Sequence, residues 1–495
     1  MMREEAFMGT IVIVGLGPGD PRHLTREAWS VLETASEIWL RTERHPTIAG
    51  LPSHLTWHSF DYLYEEAESF AQVYDTITSE VLRLGRRPEG VIYAVPGHPL
   101  VGEVTVKQIL AQAEGIGLAV HIVGGLSFVE PTLTALGIDA LTGLQLYDAV
   151  ELATRYHPPL NPDLPALVGQ LYSPALAADV KLTLMNQYPD DHQVTLVCAA
   201  GTDEQCVVRV SLYELDHQGN AALFGPTAHL TTLYVPPLSG VTSFEGLQDT
   251  VAHLRAPGGC PWDREQTHES LRSGVLEEAY ETLAAIDASD MRALQEELGD
   301  FLLQVLLQVQ IATEEGEFKM ADVIAGIDAK LKHRHPHVWG NRPVTDTAQV
   351  LQRWEELKRE EKGKGEEHSV LDGVPVALPA VQQADTYSRR AARVGFDWTD
   401  PDGVVDKVRE EIAEVEAATT PEEQEAELGD LLFAVVNWAR WLKVDPETAL
   451  RQANARFARR FRGVERMARE QGLDMKTLTI DELEALWQNV KLYDK

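Results

Sequence analysis

Glu277-Glu278-Ala279-Tyr280-Glu281 returns as Glu410-Glu411-Ile412-Ala413-Glu414, and Glu297-Leu298-Gly299-Asp300 returns as Glu427-Leu428-Gly429-Asp430. In the same order Lys330 and Arg334 correspond to Arg456 and Arg460, and Trp354 and Lys358 to Trp487 and Lys491. The offsets run from 126 to 133 residues, so loop lengths vary while the order of segments holds. Self-similarity at such a period marks a duplicated structural unit. Both copies are rich in Glu, Leu and Ala with helical spacing and few strand signals, which predicts two related all-α bundles. Between them Lys362-Gly363-Lys364-Gly365, with Pro375 and Pro379, reads as a linker.

In each copy an acidic pair at i, i+3 lies on one helix and a second such pair on a later helix. Spacing of three puts both side chains of a pair on one face. In the second copy Val405, Val408, Ile412 and Val415 form the expected apolar stripe, flanked by Glu411 and Glu414. Leu428, Leu431, Leu432 and Val435 play that part beside Glu427 and Asp430. Helices packed through these stripes would bring four carboxylates to one rim. Each like-charge pair at about 4 Å costs roughly 4 kcal/mol at an effective dielectric near 20, and a divalent cation removes that cost. Oxygen ligands without His or Cys favour Mg²⁺ or Mn²⁺. A single acidic pair on a helix is an ordinary solvated face. The pattern recurring with its own downstream cations and Trp argues for a metal centre in each copy. The first copy's ligands would be Glu278, Glu281, Glu297 and Asp300.

Arg456 and Arg460 are one helical turn apart, as are Trp487 and Lys491. Guanidinium and ammonium groups can hold phosphate oxygens, and an indole face can stack on a base. The same residues also fit an exposed basic helix and a core tryptophan.

Ahead of the repeats, residues 1 to about 238 read as an α/β region. Short β-branched runs, Ile11–Val14, Val91–Val95, Val120–Val123 and Val194–Cys198, alternate with helical stretches, and Gly and Pro cluster after several of them. Gly15-Leu16-Gly17-Pro18-Gly19-Asp20 follows the first run, a loop through which backbone can approach a ligand closely. As a dinucleotide fingerprint it fails at Asp20 and at Pro18, so a plain strand–turn–helix connection explains it equally well.

A chain of 495 residues exceeds one ordinary core, and about three domains are expected. The 44 % hydrophobic and 24 % charged fractions are those of a globular protein. Forty-three Lys and Arg against 77 Asp and Glu leave a formal charge of −34, which disfavours nucleic acid polymers and anionic membranes. Small anions remain compatible where a metal or local cation neutralises them. Cys198, Cys206 and Cys260 show no pairing or metal-ligand spacing, which fits a reducing compartment. Glu4 and Glu5 lead into a first strand rather than an export signal, and Phe301–Ile311 is interrupted by glutamines and too short to span a bilayer. The expected location is the cytoplasm.

The acidic quartets, with Gly259-Cys260-Pro261-Trp262-Asp263, Arg334-His335-Pro336-His337-Val338 and Val394-Gly395-Phe396-Asp397-Trp398, resemble the MazG nucleoside triphosphate pyrophosphohydrolases over about residues 240–495. That resemblance implies an all-α fold, Mg²⁺ and hydrolysis of NTP to NMP and pyrophosphate. It also implies metal binding by Glu411, Glu414, Glu427 and Asp430, with phosphate or base contacts from Arg456, Arg460, Trp487 and Lys491. In two-copy members the second repeat is the usual seat of catalysis. Arg456 stands where the family usually has Lys.

Tyr93-Ala94-Val95-Pro96-Gly97-His98-Pro99-Leu100-Val101, Val123-Gly124-Gly125-Leu126-Ser127-Phe128 and Ala199-Ala200-Gly201-Thr202-Asp203-Glu204-Gln205 resemble the tetrapyrrole (corrin/porphyrin) methylases over about residues 10–238. The resemblance implies a two-subdomain α/β fold binding S-adenosylmethionine in a cleft. The matching positions are Pro18, Gly97, His98, Val101, Ser127, Phe128, Ser173 and Ala200, with His98 where many relatives have Asp. The whole order is similar to that of the YabN-type fusions.

The expected architecture is therefore a methylase-like domain over residues 1–238 followed by MazG repeats over 239–368 and 369–495. The expected activity is Mg²⁺-dependent NTP pyrophosphohydrolysis fused to an S-adenosylmethionine-dependent methyltransferase domain. Two other readings are a silent S-adenosylmethionine sensor that tunes the hydrolase, and a helical half that serves only assembly. Bundles with exposed apolar stripes associate, so a homodimer is expected.

Overall fold

The computed structural model describes residues 9–67, 69–217, 228–340 and 369–493, together with 346, 349, 350, 353, 354 and 357. Lys358 and the Lys362–Gly365 linker lie outside the described residues. The chain divides into two compact units, Met1–Ile324 and Ala325–Lys495.

In the first unit, β1 (Thr10–Gly15), β2 (Glu37–Leu40), β3 (Thr56–Ser59), β4 (Val91–Val95) and β5 (Ala119–Val123) form a sheet of order β3-β2-β4-β1-β5. Every pairing in it is parallel. A parallel sheet is covered on both faces, which is why its central strands are continuous apolar runs. Ile11 and Ile13 pack beneath α3 (Phe70–Gly85) and α4 (Val104–Ala113), while Val14 packs with Leu32 of α1 (Arg26–Thr34). Thr25 starts α1 by accepting a hydrogen bond from the Ala28 amide, and Ser69 caps α3 in the same way.

A second sheet, β6 (Gln145–Asp148), β7 (Ala166–Gly169), β8 (Gln193–Cys198), β9 (Cys206–Ser211) and β10 (Thr231–Val235), has the order β6-β7-β10-β8-β9. Only its β6–β7 pair is parallel. Between the sheets runs α5 (Val129–Leu136), and α6 (Ala149–Ala153) and α7 (Pro174–Leu184) lie over the second sheet's core.

The first unit continues into α8 (Phe244–Arg255), α9 (Pro261–Arg264), α10 (Arg272–Ala288) and α11 (Met291–Glu315). Asp163, between β6 and β7, accepts hydrogen bonds from the Thr242 and Ser243 amides at 2.8 and 3.1 Å and so ties the start of α8 to the second sheet. Val251, Leu306, Leu307 and Met320 form this bundle's core. The unit boundary falls within α12 (Met320–Arg334), which leads to α13 (Pro336–Trp339).

The second unit holds α14 (Ala380–Ala392), α15 (Pro401–Ala417), α16 (Pro421–Trp441), α17 (Pro446–Glu470) and α18 (Ile480–Tyr493). Pro at the first turn and a Thr420–Glu423 capping box fix the start of α16. Among the described residues no helix is long and apolar enough to cross a membrane.

The structure corrects the expected stripes of the second copy. On α15 the buried positions are Val404, Val408 and Glu411, while Ile412 is 44 % exposed. On α16 they are Ala434, Val436 and Asn437, whereas Leu428, Leu432 and Val435 are 49 %, 61 % and 42 % exposed. The reason is that α16 packs against α14 as well as α15. Its buried face is the one the two neighbours share, and the leucines adjoining Glu427 turn outward.

Candidate functional site

Glu411 and Glu414 come from α15 and Glu427 from the start of α16, and one carboxylate oxygen from each lies within 4.8 Å of the others. Glu411 is only 4 % exposed. Its Oε1 receives Lys407 Nζ at 2.6 Å, one helical turn back, while its Oε2 is buried with no hydrogen-bond partner. Lys407 also donates to Glu410 at 2.8 Å, and these two acids hold its ammonium above the usual lysine range. The Glu414 carboxyl is pushed above the usual carboxylate range, by desolvation first and by the charge of Glu411 next. Asp430 sits one turn beyond Glu427 on α16, exposed and outside the trio.

The first copy repeats the arrangement. Oxygens of Glu278 and Glu281 on α10 and Glu297 on α11 lie within 4.8 Å of one another. Desolvation, then the charges of Asp300 and Glu281, push Glu278 up; desolvation, then Glu281 and Asp300, do the same to Glu297. Asp300 therefore acts on this trio without joining it. The place of Lys407 is taken by Gly274, where an added Cβ would meet the Gln304 side chain at 3.0 Å.

Both trios suit a hard divalent cation. The donors are oxygens only, desolvation and then neighbouring like charges push Glu278, Glu297 and Glu414 toward the neutral form, and one buried Glu411 oxygen lacks a partner. The residues expected to grip a nucleotide stand on other helices. Arg456 and Arg460 are a turn apart on α17, and Trp487 and Lys491 a turn apart on α18. The Trp487 ring lies 5.3 Å from Phe457 and packs on the Val464, Ala468 and Leu486 core of the α17–α18 hairpin. In the first copy Lys330 is exposed on α12, and the Arg334 guanidinium lies 5.8 Å from the Trp354 ring centroid, a cation–π pairing of two residues matched by the repeat.

The loops expected to hold S-adenosylmethionine gather at the carboxyl ends of β1, β4 and β5 and face loops of the second sheet. Gly17 and Gly97 exchange backbone hydrogen bonds at 2.8 and 3.3 Å beside Pro18. A Cβ on Gly15 would come within 2.7 Å of the Gly97 carbonyl and the Gly125 amide, so only glycine lets the three turns close. His98 Nδ1 accepts from the Leu100 amide at 3.1 Å, and the Val101 amide donates to the His98 carbonyl at 2.9 Å. Ser127 is buried and donates to Glu130, the Phe128 ring lies over Gly169, and Ser173 caps α7. Ala200 follows Ala199, a non-glycine residue at φ 46°. Gln170 donates to the Gly102 carbonyl at 3.2 Å and Arg22 meets Asp203 at 3.3 Å, each bond joining the two subdomains.

Beneath the Gly97–Val101 loop lies a pair that no motif announces. Arg41, directly after β2, meets Glu103, directly before α4, at 3.0 Å. Burial pushes the Glu103 carboxyl up to about 7 against the pull of Arg41. Such a pair is assembled across 62 residues of sequence and leaves no local signal.

The tetrapyrrole (corrin/porphyrin) methylase family model matches residues 10–216, and the MazG nucleotide pyrophosphohydrolase domain model matches residues 266–339. Over 98 % of its length, the chain is 41 % identical to an uncharacterized protein, YabN of Bacillus subtilis, 98 % of which is covered. The chain belongs to the YabN family. This member's helical half has relatives of its own. Half of the chain is 44 % identical to 95 % of a nucleoside triphosphate pyrophosphohydrolase/pyrophosphatase MazG of Thermotoga maritima. A similar share, 51 %, is 45 % identical to 98 % of a nucleoside triphosphate pyrophosphohydrolase of Escherichia coli. YabN-family architecture is thus a methylase-type α/β domain joined to MazG helices.

Proposed function

We propose that this YabN-family chain is a divalent-metal-dependent nucleoside triphosphate pyrophosphohydrolase, converting NTP and water to NMP and pyrophosphate. The observation that carries the reading is the convergence of Glu411, Glu414 and Glu427 oxygens within 4.8 Å, repeated in the first copy by Glu278, Glu281 and Glu297. The pyrophosphohydrolase names of the MazG relatives support it. Glu411, Glu414, Glu427 and Asp430 would hold Mg²⁺, or Mn²⁺ in its place, and the ion would supply charge stabilisation along the phosphate chain. Buried Glu411 would fix the geometry, and Glu414, once ionised, would take a proton from the attacking water. Arg456, Arg460 and Lys491 would donate to phosphate oxygens and the Trp487 indole would stack on the base; Lys330, Arg334, Trp354 and Lys358 are the first copy's counterparts. The first copy's Glu278, Glu281, Glu297 and Asp300 would hold metal in the same way.

The proposed domains are residues 1–238, 239–368 and 369–495. In the first, the loops of Pro18, Gly97, His98, Val101, Ser127, Phe128, Ser173 and Ala200 would bind S-adenosylmethionine. The reading in which this domain only senses that ligand rests on His98, whose Nδ1 is already engaged by Leu100. Calorimetry with S-adenosylmethionine and a methyl-transfer assay separate the two, since binding without transfer supports the sensor. The outward Ile412, Leu428, Leu432 and Val435 support a homodimer that covers them, to be checked by light scattering. A cytoplasmic location completes the proposal.

The deciding experiment offers a panel of NTPs with Mg²⁺ to the purified chain. NMP plus pyrophosphate is expected. NDP plus phosphate, or no turnover with any NTP, overturns the reading and, in the second case, leaves an assembly module.

A further inference from the structure

The strands leading into and out of the loop 199–205 set two thiols opposite each other. β8 and β9 are antiparallel, with a register running from Gln193 against Ser211 to Cys198 against Cys206 on the last rung before the loop. This revises the expectation that the cysteines have no pairing arrangement, because the seven residues between them are a hairpin loop rather than a true separation. Residues on one antiparallel rung share a face, with Cα atoms about 4.5 or 5.5 Å apart. Both values fall within the roughly 4.4–6.8 Å that a disulfide spans. Cys206 is half-buried, the more accessible of the two, and Cys198 is buried. Burial and the neighbouring Cys206 sulfur push the Cys198 thiol up to about 11.

We propose that Cys198 and Cys206 are a redox pair that closes to a reversible intrachain disulfide when the chain meets a peroxide. The Cys206 sulfur attacks the peroxide oxygen and becomes a sulfenic acid, releasing water. Cys198 then attacks that sulfur, the S–S bond forms, and hydroxide leaves with the Cys198 proton as a second water. Two thiols are oxidised and one peroxide is reduced. The raised Cys198 thiol slows closure, because little of it is ionised at neutral pH.

The loop so clamped joins the subdomains. Its Asp203 pairs with Arg22, a Cβ on its Gly201 would meet His23 at 2.7 Å, and Thr202 lies against Gly19. A bond at its base fixes the width of that loop where it meets the β1 turn.

The test uses the full chain, reduced, freed of reductant, exposed to hydrogen peroxide and then alkylated in guanidinium. Intact mass is expected to show alkylation falling from three thiols to one, Cys260, with a loss of about 2 Da and full reversal by dithiothreitol. Peptide mapping should find Cys198 joined to Cys206, and Cys260→Ser should leave that link in place. In Cys206→Ser, Cys198 should stay alkylatable. Oxidation of Cys206 to sulfinic acid with Cys198 still free overturns the proposal. Three alkylatable thiols after peroxide, or links only between chains, do so equally.

Discussion

In the first copy Glu278, Glu281 and Glu297 stand beside a glycine and an amide, while in the second Glu411, Glu414 and Glu427 stand beside an ammonium. The repeat offset that matches Glu278 to Glu411 also matches Gly274 to Lys407, and the one that matches Glu297 to Glu427 matches Gln304 to Ala434. A Cβ at position 274 would meet the Gln304 amide at 3.0 Å, a tight contact, and Ala434 carries no such side chain. The two positions thus read as one exchange, Gly with Gln in one copy and Lys with Ala in the other. Identical acid spacing can accordingly be kept under two regimes. One trio has a neutral amide, Gln304, beside Glu278, and the other holds a tethered ammonium, Lys407, on its most buried member. Sequence identity of the acids says less about their electrostatic surroundings than the residue one turn before them.

The strongest way to break this comparison is to disable each trio in turn. Glu414→Gln is expected to lower pyrophosphate release by roughly 100-fold or more, the scale seen when a group essential to transition-state charge is removed. Glu281→Gln, its counterpart, should leave the rate within about twofold if the tethered-cation trio is the engine. Product assays on both variants decide it. Equal losses would mean that the copies work as one, and undiminished turnover in Glu414→Gln would remove the second copy from catalysis.

A smaller effect sharpens it. Lys407→Met frees Glu411 Oε1, so Mn²⁺ should bind the second trio roughly two- to fivefold more tightly in the absence of nucleotide, the worth of one partly exposed ion pair. Gln304→Leu removes only a neutral neighbour from Glu278, and its change should be smaller. Electron paramagnetic titration of free Mn²⁺ reads both. Weaker Mn²⁺ binding in Lys407→Met would mean that the ammonium orders Glu411 for the metal rather than competing with it.

Much of this was legible in the chain itself, for local reasons. Pairs at i, i+3 fix a helix face whatever surrounds the helix, and so both trios could be named from spacing. Central strands such as β1 and β4 are buried on both faces and announce themselves as apolar runs, whereas β3, Thr56-Trp57-His58-Ser59, is an exposed edge with no such run. What escaped depends on partners distant in sequence. The buried side of α16 is decided by α14 as well as α15, so Leu428 and Leu432 looked like core and are not. Arg41–Glu103 and Cys198–Cys206 exist only once strands are in register. Asp430 and Asp300, read as equal members of their quartets, stand outside the tight trios.

The finest distinction concerns protons. Glu278 and Glu297 are both pushed above the usual carboxylate range in the first copy, and in the second Glu414 is. A carboxyl whose folded pKa exceeds its unfolded one binds more protons in the native state, so its contribution to stability is present below the ordinary carboxylate range and is lost as pH rises through the raised value. A divalent cation needs these groups ionised, and its binding must expel their protons. Apparent Mn²⁺ affinity should therefore weaken as pH falls through the raised carboxyl range, with a steeper slope for the trio that holds two raised carboxyls. Glu414→Gln, which leaves the first trio intact, should show the steeper dependence, and Glu281→Gln the shallower. Calorimetry in two buffers of different ionisation enthalpy should find more protons released per ion in the first case. Equal slopes would mean that Lys407 does not set the protonation of its trio apart from that of the first copy's trio.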